Sequence, residues 1–195
     1  AAPNGTVCDP CQEGGYYCPR GASASLPCAA GTRRADALAV MTSASDCVEC
    51  AAGGFCSVGS ANATVCSPGT YNELEGQAAC LKCAAGTFQD ESGATACKAC
   101  EHGSFCKAGA SAPQPCPAGT YSNATDLAAA AECLECPPGS SCATGSVAPA
   151  ACSPGSVAPA FGSAECGLCA GGTYRAAPNG TVCDPCQEGG YYCPR

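Results

Sequence analysis

Seven C-x-x-C pairs pace this 195-residue chain, and no other feature limits its folding choices so tightly. They are CDPC at Cys8, CVEC at Cys47, CLKC at Cys80, CKAC at Cys97, CLEC at Cys133, CGLC at Cys166 and CDPC again at Cys183. The remaining cysteines bring the total to 23, a density that belongs to disulfide scaffolds. An ordinary apolar core is not available: there is no Trp, one Met, 4 Phe and 7 Tyr, against 25 Gly and 16 Pro. Much of the nominal hydrophobic content is Ala and Cys, and burying an Ala contributes far less than the roughly 1.5–3 kcal/mol of a Leu or Phe. Ordering the backbone costs about 1–2 kcal/mol per residue, so another source of stability is required. Bridges supply it, at about 3 kcal/mol for a closed loop of some 15 residues.

The chain also repeats itself. Ala176–Arg195 reproduces Ala1–Arg20 letter for letter as AAPNGTVCDPCQEGGYYCPR, an offset of 175 residues. Identity of that kind predicts an array copied head to tail. A finer order lies inside the period. After Cys11, Cys50, Cys100, Cys136 and Cys186 another cysteine follows within a few residues (Cys18, Cys56, Cys106, Cys142, Cys193), whereas Cys83 and Cys169 are followed by thirteen residues and the next pair. The units therefore run long, long, short, twice over. This predicts 1–7 as the end of a preceding module, 8–96 as one cysteine-rich triplet, 97–182 as a second, and 183–195 as the start of the next repeat, identical to 8–20. In each triplet the first long unit closes with an enlarged loop, Cys28 to Cys47 and Cys116 to Cys133. Within these loops DALAVM from Asp36 and DLAAAAE from Asp126 have helix propensity without Gly or Pro, so each is expected to form a short helical turn. Elsewhere phrases such as AAGT, SPGT and PAGT predict turns between short strands. The expected fold is small disulfide-rich modules in tandem: an elongated rod with short strands, turns, little helix and a minimal hydrophobic core.

Oxidised cysteines at this density predict an extracellular, secreted setting. Four of the five asparagines agree, because Asn4, Asn62, Asn123 and Asn179 stand in Asn-x-Ser/Thr sequons and are expected to carry N-glycans. Only Asn72 lies outside one. No apolar run approaches a membrane span, and a net charge of −8 disfavours nucleic acid as a partner. A redox C-x-x-C needs a thioredoxin-like βαβ setting and a zinc ribbon needs a reducing compartment, so neither is expected. His102, the single histidine, has no nucleophile and carboxylate around it in a catalytic pattern. The acidic cluster QDES at Gln89 lies inside a short-unit loop and implies no calcium site. The chain is thus expected to be no enzyme and to need no cofactor or metal. Aromatic residues just before the second cysteine of the long units (Tyr17, Phe55, Phe105, Tyr192) are expected to cover their own module's bridge as a miniature core.

The spacing from Cys50 onward, C-x5-C-x9-C-x13-C-x2-C-x13-C, resembles epidermal growth factor-like modules, with two residues between the fourth and fifth cysteines where those have one. The phrases CPAGTY at Cys116, CSPGTY at Cys66 and CAAGTF at Cys83 are similar to ephrin-receptor-like and tumour necrosis factor receptor-like cysteine-rich repeats. The resemblance implies crossed bridges: Cys11 to Cys28, Cys18 to Cys47, Cys50 to Cys66, Cys56 to Cys80, Cys83 to Cys97, Cys100 to Cys116, Cys106 to Cys133, Cys136 to Cys152, Cys142 to Cys166 and Cys169 to Cys183. Cys8, Cys186 and Cys193 would then be unpaired within this window. A sequential alternative, Cys50 to Cys56 and Cys66 to Cys80, stays open, since spacing does not fix connectivity.

Modules of this class occur in receptors, adhesion proteins and fibres alike. Identical units at fixed intervals favour a structural glycoprotein, a tandem-repeat subunit of a fibre or filament that meets itself or other fibre glycoproteins. Pro-rich phrases, SAPQPCP at Ser111 and SVAPA at Ser146 and Ser156, resemble the O-glycosylated contexts of plant and algal wall proteins. By the same resemblance the fibre would be an algal flagellar hair (a mastigoneme), a sheath or a cell wall, at the flagellar surface or in the wall. The alternative is the cysteine-rich ectodomain of a receptor or adhesion protein that binds a protein ligand.

Overall fold

Among the described residues C-x-x-G recurs ten times as a turn and organises everything else. A computed structural model describes residues 9–187, and in it the turns start at Cys11, Cys28, Cys50, Cys66, Cys83, Cys100, Cys116, Cys136, Cys152 and Cys169. Their glycines all have positive φ, between 70° and 99°. Gly53 shows why the residue must be Gly. Its φ of +78° is left-handed, and a Cβ there would run into the Gly93 carbonyl.

Each turn delivers the chain into a two- or three-residue strand that pairs antiparallel with the strand just before the next turn. The described residues fall into two compact units, one running to Cys83 with Gln89–Lys98, the other comprising Ala84–Phe88 and the chain from Ala99 onward. In the first, Tyr16–Tyr17 pairs with Leu26–Pro27, Thr32–Arg34 with Cys47–Glu49, Gly54–Phe55 with Thr64–Val65, and Thr70–Tyr71 with Leu81–Lys82. In the second, Ser104–Phe105 pairs with Gln114–Pro115, Thr120–Tyr121 with Leu134–Glu135, Ser140–Ser141 with Ala150–Ala151, Ser156–Val157 with Gly167–Leu168, and Thr173–Tyr174 with Asp184–Pro185. Strands this short are marginal alone. What holds them is the staple in each module and a backbone ladder between modules.

The ladder has a fixed rule. The turn glycine of one module donates its N–H to the carbonyl of the residue six after the next turn cysteine: Gly53 to Asn72 at 2.8 Å, Gly69 to Gln89 at 2.7 Å, Gly119 to Cys142 at 2.8 Å, Gly155 to Arg175 at 2.7 Å. That same residue donates its own N–H into the loop of the module beyond, as Cys56 does to Gln77 and Asn72 to Ala94. A loop residue then donates back to the turn cysteine, Gly76 to Cys50 and Gly93 to Cys66. Three successive modules are thereby tied at these turns, the nearest-neighbour logic of repeat proteins.

The bridges are sequential, which corrects the crossed pairing. Cys11 bonds Cys18, Cys28 bonds Cys47, Cys50 bonds Cys56, Cys66 bonds Cys80, Cys100 bonds Cys106, Cys116 bonds Cys133, Cys136 bonds Cys142 and Cys152 bonds Cys166. Cys83–Cys97 and Cys169–Cys183 are common to both schemes. The reason is local. The tight turn at Gly53, closed by Gly54 N–H to the Ala51 carbonyl at 3.2 Å, returns the chain so that Cys56 lies 6.2 Å from Cys50 in Cα separation, within disulfide reach. Cys66 meanwhile opens the next turn and pairs across its own hairpin. Cys186 is also disulfide-bonded, contrary to its expected unpaired state. Cys8 and Cys193 lie outside the described residues.

The helical expectation is met as one short turn within 126–132 and shifts in the other loop. Asp36–Met41 forms no helix; a single 3-10 turn lies later in that loop, at Ala44–Asp46, and another spans Ala130–Glu132. Asp126 has a φ of +65°, outside any right-handed helix. A helical nucleus is unfavourable, and a loop pinned at both ends by one bridge has no room to extend it. Instead the loops use their large side chains as plugs. Met41 and Leu127 are buried, and their carbonyls accept equivalent N–H groups from Cys18 and Cys106.

Candidate functional site

Chemistry in this chain is carried by three sets of residues: the sulfurs, the buried position six after each turn cysteine, and the exposed sequons. The second set was not anticipated. In three of the four turn-stapled modules it holds cysteine, Cys56, Cys106 and Cys142, each fully buried, while in the first the bridging Cys18 stands seven residues after Cys11. In the modules stapled across the hairpin it holds Arg34, Asn72, Gln89, Ser122, Ala158 or Arg175, and four of these are buried as deeply: Asn72, Gln89, Ser122 and Ala158. Asn72 Nδ2 donates to the carbonyls of Gly54 at 2.8 Å and Ala79 at 3.1 Å, joining its own hairpin to the preceding module. Gln89 Nε2 donates to the Ala96 carbonyl at 2.7 Å, while its Oε1 accepts from the Glu91 N–H. Arg34 sends a guanidinium N–H to the Leu38 carbonyl and so holds the enlarged loop. One site thus accepts a sulfur bridge, as at Cys56, a polar side chain that satisfies loop carbonyls, as at Asn72, or the small apolar Ala158. Two signals in the sequence point to it: the C-x-x-G register, and Asn72 as the one asparagine outside a sequon.

Two of the aromatics, Phe105 and Phe88, cover bridges, but the next module's and not their own. Phe105 is buried against Cys116, Leu127 and Cys133, and Phe88 against Cys100 and Cys106. Each ring therefore adds an apolar link along the backbone ladder. Tyr16 and Tyr17 are half-buried, and the Tyr16 ring lies against Gly59. Tyr192 lies outside the described residues.

Asn62, Asn123 and Asn179 are exposed, as are the threonines that complete their sequons, Thr64, Thr125 and Thr181. Asn4 lies outside the described residues. His102, also exposed, has Nδ1 2.7 Å from the Asn123 carbonyl, a contact between loops.

Few charges interact, and those that do are at the surface. Hydrogen bonds from the backbone of Thr42 and Ser43 hold the Asp46 carboxyl below its ordinary pKa and close a capping box around the Ala44–Asp46 turn. Lys98 Nζ bonds Asp90 at 2.6 Å, lowering the Asp90 pKa and raising its own. Arg33 lowers Asp36 in the same way across 2.8 Å. A recess of about 200 Å³ is lined by Gln12, Glu13, Tyr16, Arg34, Val40 and Met41. Among the described residues no group of three His, Cys, Asp or Glu side chains is placed to hold a metal, and no helix is long and apolar enough to cross a membrane.

Residues 53–100 and 69–112 match the family described as tyrosine-protein kinase ephrin type A/B receptor-like. The two matches begin at Gly53 and Gly69, successive turn glycines, so the family's unit is in register with the module observed. That family is a receptor-like ectodomain module and not a catalytic one. No curated protein matches the chain. Bridges in tandem and this match make the chain a cysteine-rich repeat protein of the extracellular class.

Proposed function

We propose that the chain is part of a structural extracellular glycoprotein, a tandem-repeat, disulfide-stapled subunit of a fibre or filament. The observation that carries this reading is the identity of Ala1–Arg20 and Ala176–Arg195 at an offset of 175 residues. A surface copied at fixed intervals can meet its equivalent on a neighbour repeatedly and propagate instead of closing into a ring. The triplets 8–96 and 97–182 are the two halves of that period. N-glycans on Asn4, Asn62, Asn123 and Asn179 would coat it, with O-glycans on the Pro-rich phrases. Its partners are other copies of itself or other fibre glycoproteins, in a flagellar hair, sheath or cell wall.

The family match supports a second reading, a receptor or adhesion ectodomain that binds a protein ligand. Imaging the purified protein separates the two. Uniform filaments are expected for the fibre, and discrete particles at every concentration would favour the receptor. Intact mass before and after N-glycan removal tests the coat: a loss of four glycans is expected, and no loss would remove the glycoprotein claim.

A further inference from the structure

Sequential bridging has a mechanical consequence that crossed bridging lacks. Every bridge closes before the next one opens, from Cys11–Cys18 to Cys169–Cys183, so the bridges lie in series along the chain. Tension then passes through each bridge as a covalent shortcut whose Cα atoms are between 5.7 and 6.2 Å apart. Chain inside a bridge carries no load. About two thirds of the residues between Cys11 and Cys183 are sheltered in this way.

The loaded remainder is of two kinds. Five stretches are C-x-x-C spacers, such as Cys80 to Cys83, with almost nothing to give. Four are longer: Cys18 to Cys28, Cys56 to Cys66, Cys106 to Cys116 and Cys142 to Cys152. Each of the four contains the second strand of a pair that hydrogen bonds alone close, Thr64–Val65 against Gly54–Phe55 being one. Hydrogen bonds yield before covalent ones. We infer that the chain works as an extension-limited tether, giving stepwise in its turn-stapled modules and stopping hard where the bridges become taut. The inference rests on bridge order and holds for a fibre subunit or a receptor stalk alike, so it stands or falls separately from the function proposed above.

Pulling the chain from handles fixed at Pro10 and Asp184, just outside the first and last of these bridges, oxidised and then reduced, tests it. At about 3.5 Å per extended residue, the oxidised chain reaches about 250 Å between Cys11 and Cys183 and the reduced chain about 600 Å, roughly a 2.4-fold difference. The oxidised approach to that limit comes in small steps, each below about 35 Å. Replacing one loop-spanning bridge (C66S with C80S) adds about 40 Å to the oxidised limit, and replacing one turn bridge (C50S with C56S) adds about 15 Å. Oxidised extension well beyond 250 Å overturns the inference, and so does equal extension in the two redox states. An oxidised chain that keeps its folded length until covalent rupture overturns it too.

Discussion

Residues 50–65 and 66–82 make the same C-x-x-G turn and the same two-residue strand pair, yet they are stapled in different places. In the first, Cys50–Cys56 pins the turn and leaves the strand pair to hydrogen bonds; in the second, Cys66–Cys80 spans the hairpin and leaves the turn to hydrogen bonds from the Thr70 N–H and hydroxyl to the Ser67 carbonyl. The ladder between modules does not register the change, since Cys56 and Asn72 both receive a turn-glycine N–H at 2.8 Å. Module shape therefore belongs to the turn and the ladder, while the staple decides which part of the module is covalently closed. Mixing the two kinds keeps every described module cross-linked without tying one module to the next.

The largest expected effect comes from the element both kinds share. Gly119→Ala puts a side chain at a φ of +85° and against the Gly162 carbonyl, and is expected to destabilise by about 4 kcal/mol. Gly172→Ala, at a φ of +83° but with no described atom within 4 Å of the new methyl, is expected to lose about 1–2 kcal/mol. Denaturant unfolding of the pair measures the stacking part by difference; equal losses would mean that the ladder contributes nothing at this turn. Next come the staples. Removing Cys66–Cys80 is expected to cost about 3 kcal/mol, and removing Cys50–Cys56 about 2 kcal/mol, because the shorter loop restrains the unfolded chain less. The reverse order in chemical denaturation would show that buried packing of the turn bridge outweighs loop entropy.

Asn72→Ala is the polar counterpart and is expected to cost about 2 kcal/mol, since it strands the Gly54 and Ala79 carbonyls. Faster hydrogen exchange should then appear in both adjoining hairpins; exchange confined to 66–82 would deny the inter-module role. The smallest effect is a pH dependence. Asp46 and Asp90 have folded pKa values below their ordinary value of 3.8, so their contribution is present above that value and is lost as pH falls through the lowered one. Exposed carboxylates contribute little. A modest decline below about pH 4 is expected in acid titration, and Asp46→Asn should flatten part of it.

Much of this was legible in the cysteines. Their density excludes an ordinary core, and the turn phrases announce short strands. Connectivity was not legible, because crossed and sequential pairing fit the same spacing, and the deciding fact is spatial: Cys56, Asn72 and Gln89 occupy one buried position although only one of them is a cysteine. The enlarged loops were legible in part: a helical turn forms inside 126–132, at Ala130–Glu132, while 36–41 forms none. Alanine-rich text suggests helix, but Met41 and Leu127 are drawn inward as plugs and the chain bends to deliver them.

One cut tests the series arrangement directly. An elastase-type protease cleaving once between Cys56 and Cys66, in a stretch that carries Val58, Ala61 and Ala63, should separate the chain into two fragments without any reductant. Non-reducing mass analysis of the singly cut protein reads the outcome. Two independent masses are the predicted result; a single mass that splits only after reduction would mean that bridges cross the cut, and would contradict the account.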